Sequence, residues 1–157
     1  MICVIQRVSS CSVIADGEPA AKQGVGFLLL LGVSGEDTRE DADALAKKIA
    51  RLRVFEDDEG RMNKSVTDVG GEITVVSNFT LLAAYKKGNR PDFFAAAKPD
   101  LANELYEYFK SALTAELRSL EADTPVHSGV FGADMKIEAA LDGPVTINMD
   151  SKVLLSK

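Results

Sequence analysis

The chain has 157 residues, 46% hydrophobic and 27% charged, enough for one domain that buries roughly two thirds of its unfolded surface without metal or disulfide staples. Eighteen basic residues against 24 acidic ones give a net charge of −6, which excludes a protein that coats nucleic acid non-specifically but leaves room for a small, local RNA contact. With two cysteines, no apolar N-terminal signal and no long apolar span, the expected location is cytoplasmic, with no membrane partner and no DNA partner.

Residues 2 to 14 are rich in β-branched and apolar types (Ile2, Val4, Ile5, Val8, Val13, Ile14), and Asp16-Gly17 then signals a turn. This predicts a strand and a hairpin, with Glu18 to Gln23 as the return strand. Cys3 and Cys11 lie on that first strand, about 26 Å apart if it is straight, so they cannot pair with each other. The run Val25 to Val33 is continuously apolar and too short for a membrane, as expected of a strand buried on both faces.

Thr38 is placed to cap a helix, with Asp41 near the capping-box position, and Ala42, Leu45, Ala46, Ile49 and Leu52 follow at helical spacing. A first helix over about 39 to 53 is predicted. Asp57-Asp58-Glu59-Gly60 lacks the further oxygen ligands of a calcium loop and reads as an acidic turn. From Gly70 to Leu82 the pattern is a strand, with Ile73, Val75, Ser77, Phe79 and Leu81 on one face. Its hydroxyls and amide either find backbone partners or floor a polar pocket.

Tyr85 to Pro91 is the one concentrated basic segment, either a solvated loop or a phosphate-contacting one. Pro99 suits the first turn of a second helix whose apolar stripe is Leu101, Leu105, Tyr108, Phe109, Ala112 and Leu113, ending near Leu117 to Leu120. Two alternating runs, Asp134 to Leu141 and Val145 to Asp150, flank Asp142-Gly143-Pro144. They read as a terminal hairpin with one buried face, whose tip is either a plain turn or part of a site. The residues alone support an α+β domain with a possible pocket near Ser77 to Thr80 or near Gly143-Pro144.

Catalytic sets of the usual kinds are absent from the sequence. His127 is the only histidine, no G-x-S-x-G elbow accompanies it, and neither a zinc ligand set nor a nucleotide-binding glycine loop occurs. No metal and no cofactor are expected.

Taken together, Ser77-Asn78-Phe79-Thr80-Leu81 and Asp142-Gly143-Pro144-Val145-Thr146 resemble the two signature motifs of the D-aminoacyl-tRNA deacylases. The likeness runs to about Ser151 and includes Val4-Ile5-Gln6-Arg7-Val8, Arg53 to Asp57, Lys87 to Pro91 and Phe131 to Met135, in the family's order and spacing. The resemblance implies an α+β fold, a mostly antiparallel, barrel-like sheet with two main helices, forming a single domain over 1–157 and a homodimer. It implies a proofreading hydrolase that cleaves the ester between a D-amino acid and the terminal adenosine of tRNA, and that removes glycine mischarged on tRNA-Ala.

By the same resemblance Ser77, Asn78, Phe79 and Thr80 are the catalytic segment. Gly143 and Pro144, joined by a cis bond, are donated from the partner subunit to exclude L side chains, and Arg7, Phe131 and Met135 surround the substrate. Lys86, Lys87 and Arg90 are candidate contacts to tRNA phosphates. Asn78 departs from the family's glutamine, which is one methylene longer and carries its amide about 1.5 Å further. Two rival readings are a relative with a trans Gly-Pro bond that clears L-alanine, and a non-catalytic RNA-binding dimer. With no activated side-chain nucleophile in view, water is the expected attacking group.

Overall fold

The computed structural model describes residues 1–86 and 88–156. The long first strand, β1 (Ile2–Ala15), is the axis of the fold. Asp16 and Gly17 both have positive φ, 49° and 89°, the geometry of a two-residue hairpin turn whose twist matches its strands, and β2 (Glu18–Gln23) returns along the far half of β1. β3 (Gly26–Gly32) occupies the same side of β1 along its near half. As its unbroken apolar run predicts, β3 is buried on both faces. Phe27, Leu29 and Leu31 belong to the main core beneath the helices, and Leu28 belongs to a smaller cluster with Val8, Cys11, Val13 and Val76. Both cysteines are free and buried.

A helix next carries the chain across one face of the sheet, so the following strand must run parallel to β3. α1 (Arg39–Ala50) begins where Thr38 donates its backbone N–H to Asp41 Oδ2 at 2.8 Å, and it buries Ala42, Leu45, Ala46 and Ile49 completely. Such side chains contribute about 1.5–3 kcal/mol each for the larger ones. The helix stops before Leu52 because Arg53 opens a short antiparallel pair, β4 (Arg53–Glu56) and β5 (Met62–Ser65). The acidic turn lies between them, held by Asp57 Oδ1 accepting from the N–H groups of Glu59 and Arg61.

β6 (Glu72–Ser77) then pairs parallel to β3. α2 (Pro99–Arg118), with Pro99 in its first turn, packs against α1 and the sheet, and β7 (Val126–Ser128) adds parallel to β6. β8 (Met135–Asp150) pairs with the free side of β1, and α3 (Ser151–Leu155) follows. The order β2-β1-β3-β6-β7, with β8 beside β1, makes an α+β protein around a nearly closed, barrel-like sheet. No helix among the described residues is long and apolar enough to cross a membrane.

Three expectations are corrected. The strand predicted from Gly70 to Leu82 ends at Ser77, and Phe79–Leu82 is a short 3-10 helix. The chain turns there because Asn78 N–H donates to Leu31 O at 2.8 Å, and the turn packs so closely on Gly32 that a β-carbon would stand 2.5 Å from Leu82 and 3.1 Å from Leu81. The terminal hairpin does not form either, since Met135 to Asp150 is one strand whose two halves both pair with β1. Gln6 faces Thr146 and Val8 faces Leu141, so residues 142–145 bulge outward opposite Arg7. On α2 the fully buried tyrosine is Tyr106, which the predicted stripe omitted, and Tyr108 packs against the core only in part. Tyr106 donates its hydroxyl to Val75 O at 2.9 Å, whereas Tyr108 reaches Asp43 at the surface.

Below β1 lies a buried polar knot. The Met1 α-ammonium donates to Asp37 Oδ1 at 2.6 Å and to Ser151 Oγ at 2.7 Å, while Ser151 Oγ donates to Asp41 Oδ1 at 2.7 Å and Lys152 Nζ stands 2.8 Å from the same oxygen. Burial alone would push the Asp41 carboxyl up, but the hydrogen bonds from Lys152, Ser151 and Thr38 outweigh it and hold the group well below the usual carboxylate range. A depressed native pKa contributes stability above the unfolded value of about 3.9 and loses it as pH falls through the native one. Asp41→Asn is expected to lower stability at pH 7 by about 2 kcal/mol, discounted because Lys152 is half exposed, and the gap from the unmodified protein should shrink from pH 5 downward. Urea unfolding across that range checks it; a gap independent of pH would refute the assignment.

Candidate active site

The parallel strands β3 and β6 end side by side, and beyond their last residues a cavity of about 530 Å³ opens between the sheet and the start of α2. Ser77, Asn78 and Phe79 form one wall, at the point where β6 gives way to the 3-10 helix. Tyr106, from α2, and Phe131 line the cavity as well, their rings 5.9 Å apart. Phe93 meets Phe79 edge-on at 5.0 Å, and Met135 also lines the space. The site is therefore mostly apolar with a small polar end, the usual make-up of a small-molecule pocket.

At the polar end Thr80 donates its hydroxyl to Asn78 Oδ1 at 2.5 Å, turning the amide so that its Nδ2 hydrogens find no partner among the described residues. The N–H groups of Phe79 and Thr80, at the opening of the 3-10 helix, also donate to nothing among the described residues. Unused donors clustered beside a cavity can receive a carbonyl oxygen or a developing oxyanion. Of the polar strand residues, Thr74, deep in β6, donates to a side chain, Gln23 Oε1, rather than to backbone, while Ser77 and Asn78 line the pocket.

The structure brings together Ser77, Asn78, Phe79, Phe131 and Met135. Thr80 is exposed beside them. Arg7, Gly143 and Pro144 do not line this cavity but make a second group on the β1–β8 face. Arg7, whose side chain is 6% exposed, places Nε 3.0 Å from Asp142 Oδ2 and 3.2 Å from Asp142 O, and donates from Nη1 to Val54 O at 2.7 Å. It braces the bulge against β4. The Gly143-Pro144 bond is cis, as the resemblance implied and contrary to the trans alternative. Lys86 and Arg90 are exposed on a loop near the cavity; Lys87 lies outside the described residues.

The sequence profile of the family described as D-Tyr-tRNA(Tyr) deacylase matches residues 4–150, a span that contains the cavity, the bulge and Arg7. The chain belongs to that family. It is 52% identical over 149 residues to a D-aminoacyl-tRNA deacylase of Parabacteroides distasonis and 49% identical over 149 residues to one of Bacteroides thetaiotaomicron, each alignment covering 95% of this chain and 96% of the relative. A solved structure titled c-Myc DNA Unwinding Element Binding Protein superposes with a TM-score of 0.86 at 41% identity, covering 96% of this chain and 98% of its own. A probable eukaryotic D-amino acid tRNA deacylase shares the fold, with a TM-score of 0.78 at 17% identity, covering 95% of this chain and 98% of its own.

Family membership leaves the chemistry of individual residues to the geometry. Cys3 is fully buried and its thiol is pushed well above the ordinary range by desolvation, and burial also raises Cys11, so neither is a nucleophile. His127 Nε2 is 2.6 Å from Glu72 Oε2, on the β2–β7 side of the sheet. Burial pushes the Tyr106 hydroxyl up to about 12, leaving it a neutral donor to backbone. Tyr106 and Phe93 are the aromatic lining residues that the sequence reading missed. Leu105 and Tyr106 are both apolar and adjacent on α2, a sign that its buried face is wider than one stripe.

Proposed function

We propose that the protein hydrolyses the ester bond of D-aminoacyl-tRNA, releasing the D-amino acid and free tRNA, as a chiral proofreading step in translation. The match over residues 4–150, with relatives near 50% identity that carry this activity in their names, supports it. The observation that carries it in the molecule is the cavity at the ends of β3 and β6, where Asn78 Nδ2 and the N–H groups of Phe79 and Thr80 are unused donors, among the described residues, beside an aromatic slot. The same pocket admits glycine, which has no side chain to exclude, and glycine mischarged on tRNA-Ala is a second substrate.

The working unit is a homodimer in which the Gly143-Pro144 bulge of each subunit faces the Ser77–Thr80 segment of the other. Backbone acceptors there hold the amino group and leave no room for an L side chain, so selection is by exclusion. β8 supports this arrangement: it is 16 residues long, pairs only with β1 among the described residues, and carries Ile137 and Leu141 at 36% and 52% exposure. An uncovered edge of that length is an invitation to pair. Lys86 and Arg90 contribute phosphate contacts to the tRNA. Water is the nucleophile, helped by the substrate's own 2′-hydroxyl, and the N–H groups of Phe79 and Thr80 stabilise the oxyanion.

Deacylation of D-tyrosyl-, L-tyrosyl- and glycyl-tRNA, with sedimentation at the assay concentration, tests the proposal. Rapid release from the D and glycyl substrates by a dimer is expected; L-tyrosyl release at the D rate, or full activity in a monomer, would refute the selection scheme. Asn78→Gln restores the longer amide of the family and is expected to keep or raise kcat/KM. A fall of more than about tenfold, some 1.4 kcal/mol, would mean that the pocket is built around the Thr80–Asn78 hydrogen bond.

A further inference from the structure

Among the described residues the exposed aromatic side chains are Phe79, Tyr85 and Phe94, at 57%, 78% and 94%. They are not scattered, since all three fall within one stretch of chain that borders the cavity. Phe79 and its edge-on partner Phe93 stand at the rim. Tyr85 and Phe94 flank the neck of a hairpin where Ala84 and Asp92 exchange both backbone hydrogen bonds at 2.8 Å, and Asp92 Oδ1 accepts from Phe94 N–H at 3.3 Å. The base of this hairpin is tied to the end of β3 by Gly35 N–H to Ala95 O, at 3.1 Å, and Ala97 N–H to Val33 O, at 2.9 Å. Phe94 is thus held out into solvent on an anchored backbone, with Lys86 and Arg90 exposed on the same hairpin.

We infer that Tyr85 and Phe94 form a stacking platform for the unpaired nucleotides that precede the terminal adenosine of the tRNA. This rests on the proposed function, because the reacting ester lies at the end of a single strand that must leave the cavity over its rim. Flat apolar faces flanked by cations are the surface that single-stranded nucleic acid prefers. Bases stack on aromatics regardless of sequence, while Lys86 and Arg90 offer the backbone its counter-charge in a protein that is otherwise net acidic. A contact between two copies of the chain would also cover exposed aromatics, but the adjacent cations favour a polyanion over an acidic protein's own surface.

The test is a binding comparison between an uncharged RNA minihelix with four unpaired 3′ nucleotides and the same minihelix made blunt. The unmodified protein is expected to favour the tailed form by about tenfold or more. The double variant Tyr85→Ser, Phe94→Ser should lose this preference with the salt dependence of binding unchanged. The double variant Lys86→Gln, Arg90→Gln should keep the preference and flatten the slope of log Kd against log salt by about 0.7–0.9 for each charge removed. Persistence of the tail preference without the two aromatics would overturn the inference, as would loss of self-association in the aromatic variant, which would assign Tyr85 and Phe94 to a contact between copies. Because no turnover is needed, failure of the unmodified protein to deacylate any D-aminoacyl-tRNA would sink the proposed function and still leave this comparison decisive.

Discussion

D-aminoacyl-tRNA ending in 2′-deoxyadenosine is expected to be hydrolysed at least about 100-fold more slowly than the normal substrate, while Thr80→Ala should retain substantial activity on that substrate. A hydroxyl held beside the reacting carbonyl is worth far more than one arriving from solution, and its removal forfeits that advantage. The protein offers no replacement. Both thiols are buried and held protonated, His127 is tied to Glu72 on another part of the sheet, and Thr80 already donates its proton to Asn78 Oδ1 rather than to a base. Unactivated, a threonine hydroxyl is a poor nucleophile. Single-turnover rates on the two substrates decide the matter, and the opposite pattern, or a trapped acyl-Thr80, would overturn substrate assistance.

Gly143→Ala is expected to lower kcat/KM for the D substrate by about 100-fold and to weaken discrimination against L, with little change in melting temperature. Gly143 has φ +121°, and a β-carbon there would stand 2.9 Å from both Val145 N and Cγ2 and 3.3 Å from Arg7 Nη2. Backbone cannot yield on one side, and on the other Arg7 is pinned by Asp142 and Val54. The bulge must therefore shift. It makes few core contacts, which spares stability, but a displacement of about 1 Å at a positioning element can cost about 100-fold in rate. Steady-state kinetics on D- and L-tyrosyl-tRNA beside a thermal melt check it, and activity within threefold of the unmodified protein would remove the bulge from the mechanism.

Local chemistry was sufficient for much of the fold. The hairpin at Asp16-Gly17, the doubly buried run from Val25 to Val33, the Thr38–Asp41 helix start and Pro99 at the head of α2 all follow from residue types acting on their near neighbours. The family was legible too, because several motifs recur in order. Composition and periodicity alone stopped short of it.

What the sequence could not determine depended on which distant strand each segment met. Alternation on both sides of Asp142-Gly143-Pro144 is the same whether two arms pair with each other or both with β1, since a strand's period of two does not name its partner. Only the tertiary register, Gln6 with Thr146 and Val8 with Leu141, turns the predicted hairpin into a bulge and sets Arg7 behind it, against Asp142 and Val54. Likewise the alternation through Ser77 to Leu82 carries no sign of its end. The strand stops because Leu31 O captures Asn78 N–H and Leu81 and Leu82 fold onto Gly32, contacts that exist only once β3 lies beside β6. That turn leaves the Phe79 and Thr80 N–H groups without backbone partners among the described residues, next to a cavity lined by Tyr106 and Phe131. The sequence determined which residues could serve a site; the long-range pairing of β1, β3 and β6 decided which of them meet.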